Sequence, residues 1–276
     1  MNERPNETSL LLMEPPYEVF TPLPVSWRRT PVPPKGTALV WNTGLTEDAA
    51  RDYDVVRHRP FGVPVFVLLP EPDAIHAILP LLSALPALRI RALLPYNRLT
   101  DISSLRRLLA EPPRHLGTTV ANYLTWRGLI PAPLYSDLVT LFQCTRDMRS
   151  VSHLAQRLYV SRRTLGRRFA EFGIPVPSHW LQFSRLVHAA IMLQAEQASV
   201  FRTAVQLGYP DGFTLSNQMF RLLDVRPTAV RKHLGWEWVV ESWICTEVRR
   251  SGFDPRRYRK QMLPYLRDGD ATSGIR

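Results

Sequence analysis

Arg162, Arg163, Thr164, Gly166 and Arg167 crowd into six consecutive positions. Leu165 and Phe169 stand among them at i and i+4, so a helix that buries these two leaves the other five on its outer face. Ser161 precedes the run, and its hydroxyl is suited to accept a free backbone N–H at the helix start. A capped helix with a basic and otherwise small outer face is a shape the major groove of a duplex admits. A plain helical hairpin with a solvated basic face is the competing reading, since such hairpins are common.

The elements that would position this helix are legible around it. In Val151-Ser-His-Leu-Ala-Gln-Arg-Leu-Tyr-Val160, residues Leu154, Ala155 and Leu158 share a helical face. Ala155 is small enough for a second helix to cross closely, and Val160 plugs the tight turn. A second unit follows the same plan. Ala204-Val-Gln-Leu-Gly-Tyr209 repeats the small-residue helix and stops at Gly208. Pro210-Asp-Gly makes the turn, and Asp211 caps a helix over Gly212 to Leu223. On that helix Leu215, Met219 and Leu222 face inward, while Gly212, Phe213, Ser216 and Asn217 point outward near its start. Between the units, Pro177 to Glu196 reads as one long amphipathic helix carrying Trp180, Leu181, Leu186, Ala189, Ala190 and Leu193.

Residues 134–235 resemble the DNA-binding domain of the AraC/XylS family. Leu154-Ala155, Leu158, Val160-Ser161, Leu165, Arg167 and Phe169 match its first signature. Gly208-Tyr-Pro-Asp211, Leu215-Ser216, Val225-Arg-Pro227 and Val230-Arg231 match its second, with the spacing preserved. The sequence departs from the pattern at Asp224, where the family has Gly, at Met219, where it has an aromatic residue, and at Val230, where it has Tyr. Gly173-Ile-Pro-Val-Pro177 also replaces a shorter Gly-x-x-Pro.

The resemblance implies a bacterial, cytoplasmic transcription regulator that reads two adjacent major-groove segments of double-stranded DNA. By that resemblance Arg163, Thr164, Arg167, Ser216 and Asn217 contact bases. Either arginine suits guanine O6 and N7, Thr164 a thymine methyl and Asn217 adenine. Ser161, Arg162, Arg168, Arg221 and Arg231 are expected at phosphates, with a structural salt bridge as the alternative for Arg231. RNA polymerase and a second copy of the chain are further partners left open.

The bulk numbers agree with a nucleic-acid partner without deciding it. The net charge is +11 over 276 residues, and so basic a chain attracts polyanions. Only Lys35, Lys232 and Lys260 among the cations are lysines, a skew that speaks of source genome more than mechanism. Two distant cysteines, Cys144 and Cys245, point to a reduced, cytosolic protein. No signal peptide is expected, and apolar runs such as Val63 to Leu69 are too short to span a bilayer.

Ahead of the helical region the pattern alternates. Residues 1–36 read as a proline-rich arm or linker. Thr37 to Trp41, Pro64 to Leu69 and Arg89 to Leu94 read as strands. Glu47 to Arg59, Asp73 to Leu85 and Ile102 to Ala110 read as helices. Alternation of this kind predicts an α/β fold, a small receiver-like parallel sheet over 37–113, without a convincing phosphoacceptor aspartate. It suits dimerisation, partner contact or signal sensing, and a ligand pocket near Trp41 and Tyr96 is a further option. Residues 114–133 then read as a helical linker, 134–235 as an all-α double helix-turn-helix domain and 236–276 as a C-terminal tail.

Two other function classes compete with this reading. The seven histidines (His58, His76, His115, His153, His179, His188 and His233) make no H-x-x-x-H or H-E-x-x-H spacing, and no phosphate loop or nucleophile elbow is present. No catalytic residue, metal or cofactor is therefore expected. A helical adaptor acting only through protein contacts is the main alternative, and it has no need of Arg163 and Arg167 on an outer face.

Overall fold

The structure is a computed structural model and describes residues 8–24, 34–60, 62–79, 88–95, 102–148, 150–250 and 253. The chain forms two compact units. One holds Met1–Ala110 and Lys232–Trp238, the other Glu111–Arg231 and Val239–Arg276.

The first unit is built on five strands: β1 (Leu10–Met13), β2 (Phe20–Pro22), β3 (Ala38–Asn42), β4 (Val65–Leu68) and β5 (Ile90–Leu94). Their order across the sheet is β2-β1-β3-β4-β5. The strands read from sequence, β3 to β5, are parallel to one another, while β1 runs antiparallel to both β2 and β3. The sheet is thus mixed rather than parallel throughout, and the segment read as an arm supplies two of its strands. β1 is a run of four buried apolar residues just ahead of Pro15 and Pro16. The proline content around it masked a strand too short to show alternation. β2 ends on Pro22 at the sheet edge, where a missing N–H costs no ladder bond.

Alternation along the strands sends side chains to two cores. Leu10, Leu12, Leu39, Trp41, Val65 and Val67 pack with Val56 of helix α1 (Ala49–His58). Leu11, Met13, Ala38, Val40, Phe66 and Leu68 pack with Leu105 and Leu109 of α2 (Ile102–Ala110) and with Leu234. Burial on both faces explains why these strands are apolar at successive positions. Arg59, almost fully buried, donates to the carbonyls of Val56, Val63, Leu88 and Arg89 and so ties the loops at one end of the sheet. The α-helix read over Asp73 to Leu85 is, in its described part, a 3-10 segment at Pro72–Ile78. Tyr96 and the end of the tail, residues 254–276, lie outside the described residues.

The second unit is helical: α3 (Leu116–Trp126), α4 (Tyr135–Cys144), α5 (Val151–Arg157), α6 (Arg162–Glu171), α7 (Pro177–Gln194), α8 (Val200–Gln206), α9 (Gly212–Leu223) and α10 (Pro227–Lys232). Helix α11 (Glu237–Arg249) joins it from Val239 onward. The α/β plus all-α reading of the chain is what the structure shows. One detail differs from expectation. Helix α7 is not amphipathic but a hub, with fourteen of its eighteen residues buried. Three of its buried polar residues are matched inside: His188 Nε2 hydrogen-bonds the Phe142 carbonyl at 2.8 Å, Gln194 donates to the Val230 carbonyl, and the Ser184 and Thr145 hydroxyls bond each other.

The segment read as a tail supplies, in α11, a second wall of this core. The Trp243 ring stacks on Phe183 of α7 at 4.0 Å and 4°. Glu241 pairs with buried Arg127 just past α3 at 2.9 Å and accepts from the Tyr123 hydroxyl at 2.7 Å. Thr246 donates to the Leu222 carbonyl of α9.

Candidate nucleic-acid interface

Two helix pairs, α5 with α6 and α8 with α9, pack on α7. All four of their helices begin under a side-chain cap. Ser150, Ser161, Ser199 and Asp211 accept from the backbone N–H of His153, Thr164, Arg202 and Thr214. Each cap satisfies a donor that the helix itself cannot, typically about 1 kcal/mol of helix stability. The Thr214 N–H bond and the Thr214 side chain hold the Asp211 carboxyl below its ordinary value, so the cap is charged at neutral pH.

The turns match as well. The Val160 N–H reaches the Ala155 carbonyl, and the Tyr209 N–H the Ala204 carbonyl. In each turn the preceding residue takes a left-handed backbone, Tyr159 at φ 55 and Gly208 at φ 77. Asp224, at the position where the resembled family has Gly, takes φ 56 and ends α9. A short polar residue tolerates that conformation better than a branched one.

The two outer helices, α6 and α9, bury equivalent positions. Leu165 and Phe169 are buried on α6, and Leu215 and Met219 on α9, four and eight residues past their caps. On α6, Arg162, Arg163 and Arg167 are exposed and Thr164 and Gly166 half-buried. Arg162, Arg163 and Gly166 line an open depression together with Val151, Pro177 and Ser178. A Cβ built on Gly166 would meet no atom within 4 Å. The Thr164 hydroxyl is engaged with Ser161 at 2.8 Å. Arg167 pairs with Glu171 at 3.4 Å, both well exposed. That pair is worth about 0–1 kcal/mol and yields readily to a stronger anion.

On α9, Ser216 is half-buried and Asn217 and Arg221 exposed. Phe213 is 74% exposed.

Two arginines expected at phosphates are held within the unit. Arg168 pairs with the buried Asp137 at 3.3 Å, and burial, opposed by Arg168, raises the Asp137 carboxyl above its ordinary value. Arg231 donates to the Ala198 carbonyl at 2.6 Å, a structural role in keeping with the alternative read for it, though the partner is a carbonyl and not a carboxylate. One side chain at this surface was not singled out from sequence. Arg226 donates through Nη1 to Asn217 Oδ1 at 2.9 Å and to Ser216 Oγ at 3.4 Å, with its guanidinium 4.6 Å from the Phe220 ring centroid. Its signal was hidden inside the Val225-Arg-Pro227 pattern, where it reads as a spacer. Only the turn at Asp224 folds it back over α9.

Residues 154–233 match the family described as a helix-turn-helix domain. They run from within α5 to just past α10 and so include both pairs. This segment is an AraC-type helix-turn-helix domain. The protein is accordingly a DNA-binding transcription regulator of the AraC type in its C-terminal half. The chain matches no curated protein and no solved structure.

Around the AraC-type domain, among the described residues, no helix is long and apolar enough to cross a membrane, and no group of three His, Cys, Asp or Glu is placed to hold a metal ion.

Proposed function

We propose that α6 and α9 are both recognition helices, entering two successive segments of the major groove on one face of the duplex. The observation that most supports this is the likeness of the two pairs in cap, turn and buried positions, mounted on one long buried helix. Helix α7 has eighteen residues, or about 27 Å at the α-helical rise, which is commensurate with the roughly 34 Å repeat of DNA. On α6, Arg163 and Arg167 are assigned to guanine and Thr164 to a thymine methyl. Ser216 and Asn217 mark the reading face of α9. Ser161, Arg162 and Arg221 are assigned to phosphates. Residues 134–235 act as the DNA-binding domain, with α3 and α11 as its supports. The first unit is assigned to pairing of two copies, partner contact or signal sensing, and RNA polymerase is the natural further partner of a regulator.

The test is a genome-wide DNA selection with the wild type and an Arg163→Ala, Arg167→Ala variant. The wild type is expected to enrich a two-part motif, and the variant to lose preference in one part. The exposed Phe201 and Phe213, 67% and 74% accessible, favour a competing adaptor role. Enrichment of nothing over bulk duplex at physiological salt moves that role ahead.

A further inference from the structure

Arg226 sits between the left-handed Asp224, which ends α9, and Pro227, which opens α10. Its side chain is exposed and reaches back nine and ten residues to Asn217 and Ser216 on the outer face of α9. Nη1 alone is engaged, and no described residue accepts from Nη2 or Nε. The guanidinium also lies over the half-exposed Phe220 ring. Stacking and a hydrogen bond from a charged donor together limit the rotamers of a long side chain. The fork is thus held at the reading face before any partner arrives.

We infer that Arg226, and not Asn217, is the base-reading side chain of the second half-site, and that the base it reads is guanine. The inference rests on α9 entering the groove. Bidentate reading of adenine requires both amide atoms of Asn217, with Oδ1 accepting from N6 and Nδ2 donating to N7. Oδ1 already accepts from the Arg226 guanidinium at 2.9 Å. Binding adenine in that manner means disrupting or sharing a charge-assisted bond. Binding guanine preserves it, because the free edge of the guanidinium supplies two parallel donors for O6 and N7. Asn217 and Phe220 then act as positioning residues, and Ser216 as a weaker second support.

The experiment measures binding of the full chain to duplexes carrying each of the four bases at every position of the second half-site. Arg226→Ala, Arg226→Lys and Asn217→Ala are compared with the wild type, with melting temperature as the folding check. The wild type is expected to prefer guanine at one position by about 5- to 150-fold. Substituting 7-deazaguanine there, which lacks the N7 acceptor, should remove most of that preference. Arg226→Ala should abolish it while preferences in the first half-site persist. Arg226→Lys should retain overall affinity better than Arg226→Ala but discriminate poorly, since an ammonium is no fork. Asn217→Ala should weaken the guanine preference without replacing it.

Two results overturn the inference in distinguishable ways. If Arg226→Ala weakens all sequences equally and lowers the salt slope by about one, Arg226 is a phosphate contact, and α9 still lies in the groove. If no base in the second half-site matters while Arg163→Ala still alters the first, α9 does not enter the groove and the two-helix reading fails with it.

Discussion

Replacing Gly166 by alanine separates what α6 needs for folding from what it needs for binding. Gly166 lies in the middle of the helix on the face proposed to meet DNA. A Cβ there meets no protein atom within 4 Å, so the methyl costs no packing. Alanine is better than glycine inside a helix by about 0.8–1 kcal/mol, because the unfolded chain loses less freedom. For a unit of this size that corresponds to a rise in melting temperature of about 2–4 °C. The effect on DNA has the opposite sign. If bases or phosphates approach Gly166 to van der Waals distance, a methyl must be accommodated at an overpacked contact, costing about 1–3 kcal/mol. In binding, that is a weakening of about 5- to 150-fold. Thermal melting and titration of the selected duplex read the two effects on one sample. Gly173→Ala serves as the contrast. Gly173 is equally open but has φ +62, so alanine there is strained and should lower stability. A Gly166→Ala protein that melts higher and binds its duplex with unchanged affinity would refute the placement of this face against DNA.

Other consequences follow from the interior. Burial holds the His188 imidazole below its ordinary value of 6.5, the Phe142 carbonyl opposing and Arg146 adding. The unfolded chain therefore binds the proton first, so stability holds above about pH 6.5 and falls as pH drops toward the lowered folded value. Thermal melts across that window should show a shallower slope for His188→Gln. Asp137, whose carboxyl is raised, acts with the opposite sign and at lower pH. Glu241→Ala removes the carboxylate that pairs with the fully buried Arg127 and should cost about 3–5 kcal/mol in chemical denaturation. An Arg127→Met, Glu241→Leu double variant should cost less than Glu241→Ala alone. In the first unit, the Tyr17 hydroxyl donates to the Gly36 carbonyl at 2.9 Å and accepts the Leu234 N–H at 2.7 Å. Tyr17→Phe orphans both groups, at about 1–3 kcal/mol each, measurable by the same denaturation.

What the sequence disclosed depended on whether the signal was local. The α5–α6 and α8–α9 pairs were legible because caps, small residues and apolar positions lie within a few residues of one another. Helices α1 and α2 were legible for the same reason, as were the three parallel strands, short and mainly apolar runs with Arg91 inside β5. Strand β1 was not, because its pairing with β3 joins residues nearly thirty apart and its four residues sit among prolines. Helix α11 was legible only in outline. That Trp243 completes the core and that Glu241 neutralises Arg127 are facts about residues more than fifty and one hundred positions away. Arg168 and Arg231 show the converse. Their position in the pattern suggested the surface, but partners distant in sequence, Asp137 and the Ala198 carbonyl, hold them to the unit.

The two helix pairs have the same frame and different chemistry. In the first, the cations stand on α6 itself, where Arg162, Arg163 and Arg167 surround an open glycine. In the second, the outward positions of α9 ahead of Arg221 include Phe213, Ser216, Asn217 and Phe220, none of them charged. The cation that serves this face, Arg226, comes from beyond the helix and is held by two of those residues and stacked on a third. A side chain on the helix keeps its place as long as the helix does. One brought in from the next turn also depends on Asp224 remaining left-handed. The second half-site should therefore be the more sensitive to substitution outside its own recognition helix. Asp224→Gly should preserve guanine preference there, because glycine adopts that backbone freely, whereas Asp224→Val should erode it. If both variants read DNA alike while their melting temperatures differ, the turn governs stability alone and the position of Arg226 does not depend on it.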